Sequence, residues 1–305
     1  MKIVFMGTPN FACPILKALS EKYDVKLVIS QPNREKKKGV LLDTPVAGLA
    51  KELNLNLIQP ESIKDSYGKI KNIGADVLVT AAYGQYVPTK ILNLFKFKLN
   101  VHGSLLPKHR GGAPIQRCLI EGDLKTGVTI MEMSKGLDTG VMYCKKEYEI
   151  LDEDNNSTLF DKLSIIGKDL LMDNIDDIVS GKIKGEKQDE SLATYSKNID
   201  PSEEKIDLNN KTKDIINKIK GLSMEPGAYL EVSGIKVKIF KASSVDNFDV
   251  NAKAGTVLNV KKCIVLKTLD GAISLDLLLV PGKKIMSGKD FSNGNKIFIL
   301  NNSII

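Results

Sequence analysis

Two segments of this chain carry residue types able to move a proton or to hold a developing negative charge. The denser one is Leu99-Asn100-Val101-His102-Gly103-Ser104-Leu105-Leu106-Pro107-Lys108-His109-Arg110-Gly111-Gly112. If a strand ends here, Asn100 and His102 project from the same face, because strand side chains alternate. The chain then breaks at Gly103-Ser104. A carboxamide and an imidazole together at a strand's carboxyl end can polarise one carbonyl oxygen. A capped loop with a satisfied histidine is the plainer reading, and would be preferred for a histidine standing alone. The asparagine, the histidine and the glycine break taken together favour chemistry. The second segment, residues 127–140, ends a strand and presents Asp138 in a glycine-flanked turn. Aspartate there is more often a turn residue than a catalyst. It gains weight if its strand lies beside that of His102, where a carboxylate would hold the imidazole in one tautomer. Ser104 has no evident base and is not read as a nucleophile. His109 is read as a solvated or loop-packing residue.

Such a site needs a sheet to hold it. Residues 2–6, 25–29, 55–58, 75–81, 99–101 and 127–133 read as strands. Helices are expected from about Asn10 to Glu21, from Thr44-Pro45 (N-cap and first helical residue) to Leu53, and over 63–73 and 114–121. A long helix capped by Ser157 is expected to run to Val179. Residues 31–39 read as a polar loop. Strands separated by helices imply an α/β fold, a Rossmann-like parallel-rich sheet with helices on both faces. Residues 7–12 contain one glycine, so the dinucleotide fingerprint is absent and a nicotinamide cofactor is not supported. Past the long helix the pattern changes. A helix over 213–222 precedes five strand-like runs, at 228–232, 235–242, 255–260, 263–268 and 273–280, separated by turn signals. Five short strands in that length suggest a small OB-type β-barrel. The expected division is a first domain over 1–188, a polar, aperiodic linker over 189–205 and the barrel domain over 206–305.

Length and composition agree. The 305 residues suit two domains with sizeable cores, and 42% apolar with 27% charged residues excludes disordered, collagenous and disulfide-stapled classes. No apolar run is long enough to span a membrane. The first residues are too short a run for a signal peptide and read as a strand, so a cytoplasmic location is expected. Four cysteines at Cys13, Cys118, Cys144 and Cys263 show no pairing or metal spacing, and His102 and His109 are the two histidines; no metal is expected. The net charge of +7 is uneven: residues 206–305 hold fifteen lysines, no arginine and nine acidic residues, an excess of +6. A concentrated positive field favours a polyanionic partner. A lysine-rich composition, 41 Lys to 3 Arg, would also produce it. A barrel of a type that often binds nucleic acid tips the balance toward the first reading.

His102-Gly103-Ser104-Leu105-Leu106-Pro107 followed by Arg110-Gly111 resembles the signature of formyltransferases that use 10-formyltetrahydrofolate. Leu137-Asp138-Thr139-Gly140 resembles the aspartate loop of the same family. The similarity runs along nearly the whole chain and is greatest to the branch that acts on methionyl-tRNA. It is carried further by Phe5-Met6-Gly7-Thr8-Pro9 with Phe11-Ala12, Gln31-Pro32 with Arg34, Ala82-Tyr83-Gly84, Ala113-Pro114-Ile115-Gln116-Arg117, and Gly282-Lys283-Lys284 with Met286-Ser287. The resemblance implies a formyltransferase domain, with Asn100, His102 and Asp138 as the catalytic trio. It also implies Ser104, Leu105, Leu106 and Pro107 against the folate, and a basic loop with Arg34, Lys36, Lys37 and Lys38 against the tRNA acceptor end. It further implies transfer of a formyl group from 10-formyltetrahydrofolate to the amino group of initiator methionyl-tRNA, releasing tetrahydrofolate, by a monomer without a metal. Four departures from the family pattern bear on tRNA contact. Asn33 stands for a usual Asp, Lys38 for a common Arg whose bidentate contacts a lysine cannot make, and His109 for an aromatic residue, and the chain has no Trp. On the residues alone two other readings remain: formyl transfer to an amino-sugar nucleotide or similar small amine, and a non-enzymatic nucleic-acid-binding protein.

Overall fold

Lys2–Gly7 is buried from its second residue onward, and Val77–Ala81 along its whole length. Successive strand residues face opposite ways, so unbroken burial means that both faces of the sheet are covered, and an uninterrupted apolar run is the result. The computed structural model describes residues 1–37, 40–294 and 296–304. The chain begins β1 (Lys2–Gly7), α1 (Cys13–Lys22), β2 (Asp24–Ile29), β3 (Arg34–Lys37), β4 (Val40–Leu42), α2 (Pro45–Glu52), β5 (Leu57–Ile58), α3 (Tyr67–Ile73) and β6 (Val77–Ala81). It continues through α4 (Thr89–Leu92), β7 (Phe97–His102), α5 (Pro114–Glu121), β8 (Lys125–Glu132), β9 (Met142–Glu149) and α6 (Asn156–Val179). The remainder is α7 (Thr212–Leu222), β10 (Ala228–Val232), β11 (Ile235–Ser244), β12 (Val257–Asn259), β13 (Ile264–Lys267), β14 (Ala272–Leu279), β15 (Met286–Ser287) and α8 (Gly288–Asn293).

Two compact units result. The first comprises Met1–Pro114, Lys125–Glu149 and Phe160–Lys197; the second comprises Ile115–Leu124, Ile150–Leu159 and Asn198–Ile305. In the first unit seven strands lie in the order β5-β2-β1-β6-β7-β8-β9. Pairing is parallel from β5 to β7 and antiparallel for β7–β8 and β8–β9. The chain moves outward from β1 to β5 and then returns past β1 to β6, so a switch point lies between β1 and β6. Strand β9 is an addition to the elements expected. Its Lys145-Lys146-Glu147 core breaks any apolar pattern, and an edge strand tolerates this because charge there discourages further pairing. A second difference is the pairing of β3 with β4, Arg34 opposite Leu42 and Lys37 opposite Val40, where a loop is expected. Helix α2 begins as expected: Thr44 Oγ1 accepts the Ala47 amide at 3.2 Å, and the hydroxyls of Ser30 and Thr44 meet at 2.6 Å. Helix α6 does not. Asn155 Oδ1, rather than Ser157, accepts from the Thr158 amide, and the Thr158 hydroxyl accepts from the Asn155 amide in return. Ser157 is engaged instead with the Met224 amide and the Ser223 carbonyl.

In the second unit β10-β11-β14-β13-β12 form an antiparallel path, with β15 paired to β14, a half-barrel of the small-barrel type expected. Its core gathers Leu222, Ile239, Val257, Leu266, Leu275 and Phe291. Strand β15 and helix α8 escape sequence reading because two and six residues are too few to show a period. Among the described residues no helix is long and apolar enough to cross a membrane, and none of the four cysteines forms a disulfide.

An ion pair in this unit reports on acid stability. The Arg117 guanidinium donates to both oxygens of Glu203 at 2.7 and 2.8 Å and holds that carboxyl down to about 2 from 4.5. A lowered carboxyl stabilises the fold fully above its unfolded value and less as the pH falls through its folded one. Glu203 is partly exposed, so its contribution is at most about 1 kcal/mol. Glu203→Gln is therefore expected to differ from the parent by a constant amount above pH 4.5 and to converge on it toward pH 2, as read by urea unfolding.

Candidate active site

The carboxyl end of β7 presents Asn100 and His102 on one face, as their spacing predicts. Antiparallel β8 sets Thr129 opposite His102 and Met131 opposite Asn100. The chain leaving β8 turns back through residues 133–141 and delivers Asp138 to the same place: His102 Nδ1 and Asp138 Oδ2 are 3.7 Å apart, both largely buried. The structure thus brings His102 and Asp138 together, with Asn100 on the same strand face.

Each of the three is oriented by a neighbour. Thr80 Oγ1, on β6, donates to Asn100 Oδ1 at 2.8 Å. That turns the Asn100 amide nitrogen outward, and it takes no partner among the described residues. His102 Nε2 lies 2.9 Å from the His109 carbonyl oxygen. A carbonyl only accepts, so Nε2 carries the hydrogen, and in the neutral ring Nδ1 is the lone pair that faces Asp138. Asp138 Oδ2 accepts the Gly111 amide at 2.8 Å. Asp138 itself sits at φ +50°, in the left-handed region that a short polar residue tolerates better than most.

Residues 109–111 therefore touch two of the three groups, and they are held in turn by residues 194–196. The Arg110 amide donates to the Thr194 carbonyl (2.9 Å), and the Ser196 amide to the Arg110 carbonyl (2.7 Å). The His109 amide donates to Thr194 Oγ1, and His109 Nδ1 meets Ser196 Oγ at 2.8 Å. His109 is buried, which makes it loop packing rather than a solvated residue. Gly111 is required: its φ is +122°, and a Cβ there would stand 2.5 Å from the Ser196 carbonyl oxygen. The Arg110 side chain is fully buried and forks onto both oxygens of Glu190 (2.8 Å each), raising the guanidinium's affinity for its proton and lowering that of the carboxyl. It also donates twice to Gln188.

The other residues singled out from sequence have varied placements. Ser104 is buried, with its hydroxyl donating to the Lys108 carbonyl at 2.6 Å. Leu106 packs with Met131 and Met142. Leu105 and Pro107 are half-buried. Thr129 clips this loop, donating to the Ser104 carbonyl (2.7 Å) and accepting from the Leu106 amide (3.2 Å). Arg34, Lys36 and Lys37 fall on β3, and Lys38 lies outside the described residues. Tyr83 is core: it is buried, its hydroxyl has no partner among the described residues, and burial pushes that hydroxyl up to about 12. A cleft of about 560 Å³ opens beside the Asp138 turn, lined by Leu92, Lys98, Met133, Ser134, Gly140 and Gln188 among others; residues 104–107 do not line it. Thr80, Thr129, Gln188 and Ser196 are missing from the sequence reading. None belongs to a motif, and their partners lie 20 to 87 residues away.

A doubly wound sheet that gathers an amide, an imidazole and a carboxylate at the carboxyl end of one strand has the groups needed to polarise a carbonyl and move a proton. Residues 1–175 match the formyl transferase family, and residues 198–296 match its C-terminal domain. The chain belongs to the formyl transferase family. It is 42% identical over 299 residues to the methionyl-tRNA formyltransferase of Streptococcus pneumoniae serotype 19F (strain G54), covering 96% of this chain and 95% of that one. Among solved structures it resembles an N-formyltransferase from Helicobacter canadensis in complex with folinic acid and dTDP-3-aminofucose (TM-score 0.66, 19% identity, 90% of this chain and 98% of that one). It also resembles HypX from Aquifex aeolicus in complex with tetrahydrofolic acid (TM-score 0.65, 16% identity, 94% of this chain). The chain spans about half the length of HypX, 46%. At these identities the two structures speak for the fold.

The close approach at Gly111 gives a direct test of how tightly residues 109–111 are held. Gly111→Ala is expected to destabilise the protein by about 1–3 kcal/mol, since a methyl group must force two backbones apart and adopt an unfavourable φ. Equilibrium urea unfolding measures it.

Proposed function

We propose that this protein transfers a formyl group from 10-formyltetrahydrofolate to the amino group of initiator methionyl-tRNA, as a single chain in the cytoplasm. The observation that carries the reading is the meeting of His102 Nδ1 and Asp138 Oδ2 near Asn100, whose amide nitrogen has no partner among the described residues, in a chain 42% identical to a methionyl-tRNA formyltransferase over nearly its full length.

The folate supplies an activated one-carbon unit whose carbonyl carbon is open to attack by an amine. An α-amino group has a reference pKa of about 7.7–8.0, so a usable neutral fraction exists at neutral pH. Asn100 Nδ2 donates to the formyl oxygen as negative charge gathers there, and one such donor is worth about 2.7–4 kcal/mol. His102 enters as the Nε2–H tautomer and takes the amine's proton on Nδ1. The resulting imidazolium lies against Asp138, which balances its charge, and the proton then passes to the departing folate nitrogen. The gap of 3.7 Å is longer than a hydrogen bond. It leaves Nδ1 reachable by the amine while keeping the carboxylate close.

Leu105 and Pro107 offer the folate an apolar edge, and the cleft beside the Asp138 turn has the volume of a small-molecule site. Arg34, Lys36, Lys37 and Lys38 are assigned to the tRNA acceptor end, where phosphates and unpaired bases are exposed. The lysine-rich residues 206–305 are assigned a sequence-tolerant electrostatic contact with the same tRNA.

Formylation of charged initiator tRNA by the purified protein with 10-formyltetrahydrofolate tests the reading. Turnover is expected; formylation of a small amine in place of the tRNA, or of nothing, would reject it. His102→Ala and Asp138→Ala are each expected to lower kcat by orders of magnitude, and Asn100→Ala by about 10²–10³, with the fold retained by circular dichroism. A parent-like rate from His102→Ala would remove the imidazole from the mechanism.

A further inference from the structure

Asp138 is gripped twice, and only one grip is on its carboxylate. The other is Gln188. Its Nε2 donates to the Asp138 carbonyl at 2.7 Å and to the Gly140 carbonyl at 2.8 Å, so a single amide holds both sides of the turn. Its Oε1 accepts from Arg110 Nε at 3.0 Å and Nη2 at 2.9 Å. All four hydrogen-bonding positions of the amide are filled. Its orientation is not open to a flip: a guanidinium can only donate and a carbonyl can only accept, so oxygen must face Arg110 and nitrogen must face the turn.

Arg110 is one of three arginines in a chain with 41 lysines. It is fully buried, and its fork serves Gln188 and Glu190 together. A lysine has no such planar fork and could not hold the Gln188 oxygen with two parallel donors. The backbone next to this side chain contributes as well, because the His109 carbonyl sets the His102 tautomer and the Gly111 amide holds the Asp138 carboxylate.

We propose that Gln188, oriented by Arg110, is a positioning residue for the reaction: it sets the Asp138 turn so that the carboxylate stands at its working distance from His102. This rests on the role assigned to Asp138 above. The polar atoms of the Gln188 amide are all engaged by Arg110 and the turn, so its loss acts on the reaction through Asp138.

Gln188→Glu separates this role from a purely structural one. A glutamate keeps the size and gives Arg110 a charged partner, but sets an oxygen against two carbonyls. The Glu variant is therefore expected to melt within a few degrees of the parent. Its kcat should nonetheless fall on the order of 100-fold, the cost of a displacement of about 1 Å, with KM for both substrates nearly unchanged. Gln188→Ala should lose a similar factor. Single-turnover formylation, which resolves slow variants, then completes a double-mutant cycle with Asp138→Asn. In the Asp138→Asn background either Gln188 substitution is expected to change the rate by less than about twofold.

Parent-like kcat in Gln188→Glu would mean that the residue only satisfies Arg110, and would overturn the proposal. Losses that multiply in the double variants would overturn it too. If Asp138→Asn alone leaves kcat unchanged, the role of Asp138 falls and the proposal falls with it. A slow Asp138→Asn beside an unaffected Gln188→Glu rejects the positioning role only. If Gln188→Ala does not fold, the Glu variant and its cycle carry the test.

Discussion

A backbone carbonyl can accept a hydrogen bond and never give one. Where the His109 oxygen meets His102 Nε2, that one-way rule decides which ring nitrogen holds a hydrogen and which is free to take one. The position of that oxygen depends on the local chain path. Residue 109 is at φ +60° and residue 111 at φ +122°, a backbone route that persists only because residues 194–196 hold it from the side. Protonation chemistry at His102 therefore rests on backbone pairing between two irregular segments some 85 residues apart in sequence.

The sheet contributes something different. Parallel β6 and β7 place Thr80 beside Asn100 and orient its amide. Antiparallel β8 ends opposite Leu99, and residues 133–141, which leave that strand, turn back to bring Asp138 to His102 at the carboxyl end of β7. A parallel β8 would have ended beside His102 itself; the antiparallel one ends beside Leu99, so the loop after it has to reach back along β7. The same strand supplies Thr129, which closes the loop after His102.

Much of this was legible in the sequence where a period or a motif existed. The apolar runs of β1, β2 and β6 and the five strands of the second unit stood out because their side chains meet covered surfaces. Asn100 and His102 were readable as a pair because spacing alone puts them on one face, and Asp138 because a glycine-flanked turn after a strand is visible. Other features left no such trace. Strand β9 carries charge as an edge strand should, which hides it from hydrophobic patterning. The cap of α6 was read two residues too late, since Ser157 is a good cap by type, and only packing reveals that its hydroxyl is engaged elsewhere. Gln188 lies in a polar, aperiodic stretch with no periodicity to read. Its partner Arg110 lies 78 residues earlier in the chain, so no local pattern links the two.

Gln188 reads the 138–140 turn by its carbonyl oxygens and ignores its side chains. Leu137 is 62% exposed and can be exchanged without disturbing that hold; Thr139 is also exposed, with its hydroxyl 3.1 Å from Ser134 Oγ. Thr139 also lines the cleft beside the turn, so a change there alters the cleft wall while the backbone grip on the turn stays as it is. A loop fastened by its main chain leaves its side chains free to vary.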